Sequence, residues 1–76
     1  MTPHLPTVTA DEVVRVARSL GFQLDRQKGS HAIYLRSDDR SRITVPIHKG
    51  KTLKPKTLLA ILTDMGISVD EFRALL

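Results

Sequence analysis

The chain has 76 residues, of which 41% are hydrophobic and 26% are charged, so it can form one globular domain with a small core. It has no cysteine, which excludes disulfide bonds, thiolate metal sites and cysteine nucleophiles. The net charge is +4. Residues 26–56 carry nine basic and two acidic residues, a local net charge of +7, and this concentration favours a polyanionic partner, nucleic acid first.

The first eight residues contain two prolines and no periodic pattern. We expect residues 1–8 to form a flexible tail and residues 9–76 to form a single domain. The sequence lacks the basic start and apolar segment of a signal peptide, and it has no apolar stretch long enough to span a membrane. A cytoplasmic location without membrane contact is therefore expected.

A helix is predicted over residues 10–20. Thr9 and Glu12 have the spacing of a capping box at its start, and Gly21 is suited to end it. Its apolar face, at helical spacing, consists of Val13, Val16, Ala17 and Leu20.

Three strands are predicted next, at residues 22–27, 31–36 and 41–45. The connections between them are short and rich in turn-forming residues, which indicates an antiparallel meander. Alternation predicts that Phe22 and Leu24 share the buried face of the first strand. For the third strand, the expected buried side chains are Ile43 and Val45.

The second strand leaves two orientations open. In one, Ile33 and Leu35 are buried and His31 starts from the core side. In the other, Tyr34 is buried and the two aliphatic side chains are exposed. A bulge near Gly29 would change the alternation, so the pattern alone does not choose between them.

A basic loop at residues 47–54 precedes a helix that begins at Pro55 and ends at Gly66. Its apolar face consists of Leu58, Ile61, Leu62 and Met65. A second capping box starts at Ser68 and opens a short final helix, with Phe72 and Leu75 expected to point inward. The order α-β-β-β-α-α predicts an α+β fold, in which a three-stranded antiparallel sheet carries the two longer helices on one face.

Histidine is the residue type best suited to chemistry in this chain. His4 lies in the expected tail, His31 starts the second strand after a turn, and His48 lies in the basic loop. Their spacing does not suit a helical metal site. An imidazole can exchange protons near neutral pH, and RNA carries its own nucleophile in the 2′-hydroxyl group, so a histidine among cations can suffice to cleave RNA.

Several motifs resemble one family. They are Gln27-Lys28-Gly29-Ser30-His31, the segment from Val45 to Pro55, the segment from Thr57 to Leu62, and Met65-Gly66-Ile67-Ser68. In order and spacing the chain resembles the HicA, or YcfA-like, family of mRNA interferase toxins from HicA/HicB toxin–antitoxin modules. The resemblance covers about residues 9–72.

The resemblance implies a fold like the double-stranded RNA-binding domain, α-β-β-β-α, here with a short extra C-terminal helix. It implies cleavage of mRNA without a metal or other cofactor, with His31 as the catalytic residue, and a HicB-like antitoxin that covers this histidine. The positions implied to contact RNA are Lys28, Gly29, Ser30, His48, Lys49, Lys51, Lys54 and Lys56.

Two other functions are consistent with the residues. The basic segment would also suit a non-catalytic RNA-binding module of the double-stranded RNA-binding-domain type. It would equally suit a protein-interaction module that meets an acidic partner, for which RNA affinity at about 150 mM salt would be negligible.

Overall fold

The structure is a computed structural model that describes residues 5–76. Its elements are α1 (Ala10–Ser19), β1 (Gln23–Lys28), β2 (His31–Arg36), β3 (Ser41–Pro46), α2 (Pro55–Met65) and α3 (Val69–Leu75). The three strands form one antiparallel sheet in the order β1-β2-β3. The predicted α+β order is therefore confirmed. Within the described part of the chain, no helix is long and apolar enough to cross a membrane.

Local hydrogen bonds define the helix ends as the sequence predicts. At α1 the backbone N–H of Glu12 donates to the Thr9 hydroxyl, and the Thr9 N–H donates to the Glu12 carboxylate. Ser68 and Glu71 form the same reciprocal pair at the start of α3. Gly66 ends α2 with φ of +78°, in the left-handed region that glycine adopts without strain.

The core lies between one face of the sheet and the helices. The strands contribute Ala32, Tyr34, Ile43 and Val45, and the helices contribute Val13, Val16, Ala17, Leu58, Ile61, Leu62, Met65 and Phe72. The core side of β2 is therefore the side of Tyr34, which is one of the two orientations that the sequence left open. The opposite face of the sheet carries no helix, and we call it the open face.

Ile33 and Leu35 lie on the open face together with His31. Leu35 is 39% exposed, as this orientation requires. Ile33 is only 8% exposed although it does not belong to the core cluster. Its neighbours on the open face are Arg26 of β1 and Thr44 of β3, and of these two only the Arg26 side chain is longer than that of Ile33.

The prediction that Leu24 is buried beside Phe22 is wrong. Phe22 precedes β1 and is buried, but Leu24 is 47% exposed and no residue of β1 is buried. β1 is an edge strand, and the helices pack mainly on β3 at the other side of the sheet. The register also shifts at Asp25, so the strand carries an irregularity that simple alternation does not anticipate.

Two further predictions need correction. Leu75 is 43% exposed rather than inward-facing: it is the last residue of α3, and the helix packs on the core through the buried Phe72 and the partly buried Val69. Val8, assigned to the tail, is buried in the core, and its carbonyl accepts a hydrogen bond from the Leu53 N–H. Leu5 also packs against the core.

Arg36 connects three parts of the fold. Its Nη1 donates to the Leu20 carbonyl at the end of α1, and its Nη2 donates to the Met65 carbonyl at the end of α2. The guanidinium lies 4.5 Å from the centre of the Phe22 ring and pairs with the Asp39 carboxylate through Nε and Nη2. This side chain therefore ties both helix ends to the β2–β3 turn.

We expect the Asp39 pair to make stability depend on pH. The hydrogen bonds from Arg36 and Ser41 hold the pKa of Asp39 well below its usual range. The stabilisation is therefore present above the unfolded-state pKa, about 4, and is lost as the pH falls toward the lower folded-state pKa. At pH 7, Asp39→Asn should have a lower melting temperature than the wild type. This difference in melting temperature should be smaller at about pH 3. A difference that stays constant in thermal melts would show that the charge plays no part.

Candidate nucleic-acid interface

His31 is the first residue of β2, and its side chain is exposed at one end of the open face. In the sheet register it lies opposite Lys28 on one side and opposite Pro46 on the other. Directly opposed residues in an antiparallel pair have Cβ atoms about 4.5–5.5 Å apart. The ammonium group of Lys28 can therefore reach a phosphate that contacts His31.

The turn before His31 is two residues long, Gly29 and Ser30. Gly29 has φ of +57°, a conformation in which a residue with a side chain is strained. A two-residue turn with glycine first fixes the register of the strands that it joins. These two predicted site residues therefore determine where the imidazole of His31 emerges, and Lys28 is placed by the same turn.

The basic loop, residues 47–54, is anchored at both ends. The Ile47 N–H donates to the Ser30 carbonyl, with an N···O distance of 2.6 Å, and the Leu53 N–H donates to the Val8 carbonyl at 2.8 Å. Both anchored side chains pack against the core. The loop is therefore held against the turn that precedes β2, so that segments distant in sequence form one surface.

A surface pocket of about 380 Å³ lies between the basic loop and the start of α2. Its lining residues are Pro46, His48, Lys51, Thr52, Leu53, Lys54 and Thr57. Pro46 both lines this pocket and lies opposite His31, so the pocket adjoins the histidine. A neighbouring pocket of about 250 Å³ shares His48 and includes Lys49. The sequence analysis did not assign Thr52 and Thr57 to the site. Their place next to Lys51 and Lys56 in the sequence is the one signal that could have indicated them.

The lysines of the predicted site are available to bind an anion. Lys28, Lys49, Lys51, Lys54 and Lys56 are all exposed. Within residues 5–76 none of them forms an ion pair with an acidic side chain. Their positive charges are therefore not neutralised locally, which is the condition for attracting a phosphate backbone.

The start of α2 adds to this positive surface. Lys54 is the N-cap and makes no side-chain capping hydrogen bond, and Pro55 takes the first helical position. The first turn of α2 contains no acidic residue, whereas α1 and α3 each have two there. The partial positive charge of a helix N-terminus is therefore reinforced here by Lys54 and Lys56 rather than offset.

Two arginines that the sequence analysis did not assign lie on the same face as His31. Arg26 is opposite Ile33, and Arg42 is opposite Leu35. The strand register is needed to find them, because the alternation in β1 is interrupted and the orientation of β2 was ambiguous.

His31 and His48, the histidines of the described segment, are not grouped into a metal site. Over residues 5–76 there is no cluster of three or more His, Cys, Asp or Glu side chains that could hold a metal ion. His31 lies at the strand end and His48 in the pocket. His4 lies outside the described residues.

The comparison with curated proteins finds no match. The family model described as the HicA toxin of bacterial toxin–antitoxin systems matches residues 10–67 of the 76-residue chain. The matched segment runs from α1 to just beyond α2 and contains His31 and the whole basic loop. The chain therefore belongs to the HicA toxin family of bacterial toxin–antitoxin systems.

Proposed function

We propose that this toxin is an endoribonuclease that cleaves mRNA without a metal ion, with His31 as its catalytic residue. The observation that carries the proposal is the position of His31. Its imidazole is exposed at a fixed point of the sheet, next to Lys28 and to a pocket lined by His48, Lys51 and Lys54. A proton acceptor surrounded by unpaired cations suits a reaction at a phosphodiester.

In the proposed reaction the imidazole of His31 accepts the proton of an RNA 2′-hydroxyl group. The 2′ oxygen then attacks the adjacent phosphorus atom, and the bond between phosphorus and the 5′ oxygen breaks. The imidazolium returns the proton to the departing 5′ oxygen. The products are a 2′,3′-cyclic phosphate and a 5′-hydroxyl end, so atoms and charge balance without a cofactor.

The surrounding residues hold the RNA backbone in this proposal. Lys28 lies closest to His31 in the sheet register and would neutralise charge that builds up on the phosphorane oxygens. The turn residues Gly29 and Ser30 keep the histidine in place. The other contacts would come from the basic loop and the start of α2, through His48, Lys49, Lys51, Lys54 and Lys56.

Membership of a toxin–antitoxin family implies an antitoxin partner. We propose that this partner is HicB-like and that it neutralises the toxin by covering His31. The exposure of the His31 side chain supports this, because a bound protein can reach it directly. A toxin that cleaves mRNA and the antitoxin that neutralises it would both act in the cytoplasm.

The experiment is to incubate the purified protein with a long single-stranded RNA in EDTA and to analyse the new ends. We expect cleavage with 2′,3′-cyclic phosphate and 5′-hydroxyl ends, and no cleavage of the matching DNA, which lacks the 2′-hydroxyl nucleophile. Cleavage that appears only after Mg²⁺ is added would contradict the metal-independent mechanism. Tight duplex RNA binding without any cleavage, by a protein shown to be folded, would favour the non-catalytic RNA-binding module.

A further inference from the structure

We propose that the open face of the sheet binds the single-stranded RNA on one side of the scissile phosphate through Arg26 and Arg42, while the basic loop binds the other side. The inference rests on the proposed function for the position of the cleaved bond at His31. Its basis is the sheet register along the rest of the face and the charges of Arg26 and Arg42, two residues that the argument for catalysis does not use.

The open face consists of three rows of opposed residues. The rows are Lys28–His31–Pro46, Arg26–Ile33–Thr44 and Gln23–Leu35–Arg42. His31 therefore stands in the row at one end, and Arg42 stands in the row at the other end. Leu35 follows His31 by four residues, or about 13 Å along the strand, which is the length of three to four stacked nucleotides at about 3.4 Å each.

The charge on this face complements a phosphate backbone. Arg42 makes no described ion pair or hydrogen bond within residues 5–76. Arg26 pairs with Asp25 through Nε at 2.9 Å, but the Arg26 side chain is 61% exposed, and such an exposed pair is weak. The Nη groups of Arg26 donate no hydrogen bond in the described part of the chain. With Lys28, the face offers three cations.

The centre of the same face offers little apolar surface. Ile33, at this centre, is only 8% exposed, and the more exposed Leu35 lies in the end row beside Arg42. The three rows contain no Phe, Tyr or Trp side chain, so they offer bases no stacking platform away from the His31 ring. The face therefore suits contacts to phosphates, which do not depend on the base sequence.

The two cationic surfaces continue from His31 in different directions. The open face extends along β2 toward Leu35, whereas the pocket with His48 and Lys51 lies beyond the end of β3 at Pro46. A strand whose phosphate is held at His31 therefore meets cations both before and after the reacting bond. This arrangement would hold the RNA on both sides and position the bond that reacts.

The test measures RNA affinity at several salt concentrations in a His31→Ala background, so that nothing is cleaved. The probe is a 12-nucleotide oligouridylate. The sheet variant combines Arg26→Gln with Arg42→Gln. The matched control combines Arg15→Gln with Arg18→Gln, which removes the same charge from exposed positions on α1, away from the open face.

We expect the sheet variant to lose two phosphate contacts. The slope of log affinity against log salt should become about 1.4 units less steep, because each contact to a single strand contributes about 0.7. Between about 50 and 200 mM salt the parent protein should therefore lose about sevenfold more affinity than the sheet variant. The control should keep the parent slope, and Arg26→Lys with Arg42→Lys should restore it, which distinguishes lost charge from a damaged fold.

An unchanged slope in the sheet variant would overturn the proposal. A slope that is reduced only in the α1 control would also overturn it, because it would indicate that RNA binds at α1. If the unmodified protein failed to cleave RNA, the proposed function would be contradicted. The proposal that the open face binds RNA would still be tested, because the binding experiment does not depend on cleavage.

Discussion

Replacing His31 with alanine is expected to lower the rate of RNA cleavage by about 10²- to 10⁴-fold, the usual contribution of a positioned general base or acid. The exposed imidazole makes no described hydrogen bond within residues 5–76, so the free energy of unfolding should change by less than about 0.5 kcal/mol. The measurements are cleavage of a labelled single-stranded RNA in EDTA and circular dichroism of the same samples.

His48→Ala is the control for the His31 variant. His48 lines the pocket and is assigned to RNA binding rather than to proton transfer. Its loss should weaken RNA affinity and leave the rate at saturating RNA within about tenfold of the wild type. Full activity in His31→Ala would show that His31 is not the catalytic residue. A larger loss of rate in His48→Ala than in His31→Ala would also contradict the assignment of proton transfer to His31.

Phe72→Ala should destabilise the protein by about 3–5 kcal/mol, the usual cost of removing a buried phenylalanine side chain. Phe72 is 0% exposed and belongs to the core cluster, although α3 lies beyond the matched residues 10–67. The total stability of a chain this size is only about 4–11 kcal/mol, so the variant should lose a large part of it and unfold at a clearly lower temperature than the wild type. Thermal or urea unfolding measures the loss.

The matched control for Phe72 is Leu75→Ala in the same helix. Leu75 is 43% exposed, so its truncation should change the free energy of unfolding by less than about 0.5 kcal/mol. Phe72→Leu, which keeps most of the buried volume, should cost less than about 1.5 kcal/mol. If Phe72→Ala changed the free energy of unfolding as little as Leu75→Ala, α3 would not be part of the folded unit.

The ends of the helices could be predicted because their bonds are local. Thr9 and Glu12, like Ser68 and Glu71, are three residues apart, and each pair satisfies its own backbone donors. The turn at Gly29 is equally local, and it predicts the start of β2 at His31. The motif around this histidine could therefore be read directly from the sequence.

The faces of the strands could not be predicted in the same way. Ile33, Tyr34 and Leu35 are consecutive apolar residues, so alternation does not say which of them is buried. The answer depends on which face the helices cover. Leu24 shows the same limit, because its exposure results from its place on an edge strand that the helices leave uncovered.

Arg36 shows the limit of short-range patterns most clearly. The carbonyls that it binds belong to Leu20 and Met65, which are 16 and 29 residues away in sequence. Its role depends on the C-terminal ends of α1 and α2 lying close to the β2–β3 turn, and short-range sequence patterns do not predict that proximity.

The sequence by itself determined the order of the elements, the helix caps, the turn that presents His31 and the concentration of basic residues, because each depends on neighbours a few positions apart. The tertiary structure decided which side chains share a surface. It brought the basic loop to the turn at Ser30 through a hydrogen bond from Ile47, and it placed Arg26 and Arg42 on the same face of the sheet as His31. The physical reason is that these contacts form only when strands pair and helices cover one face of the sheet.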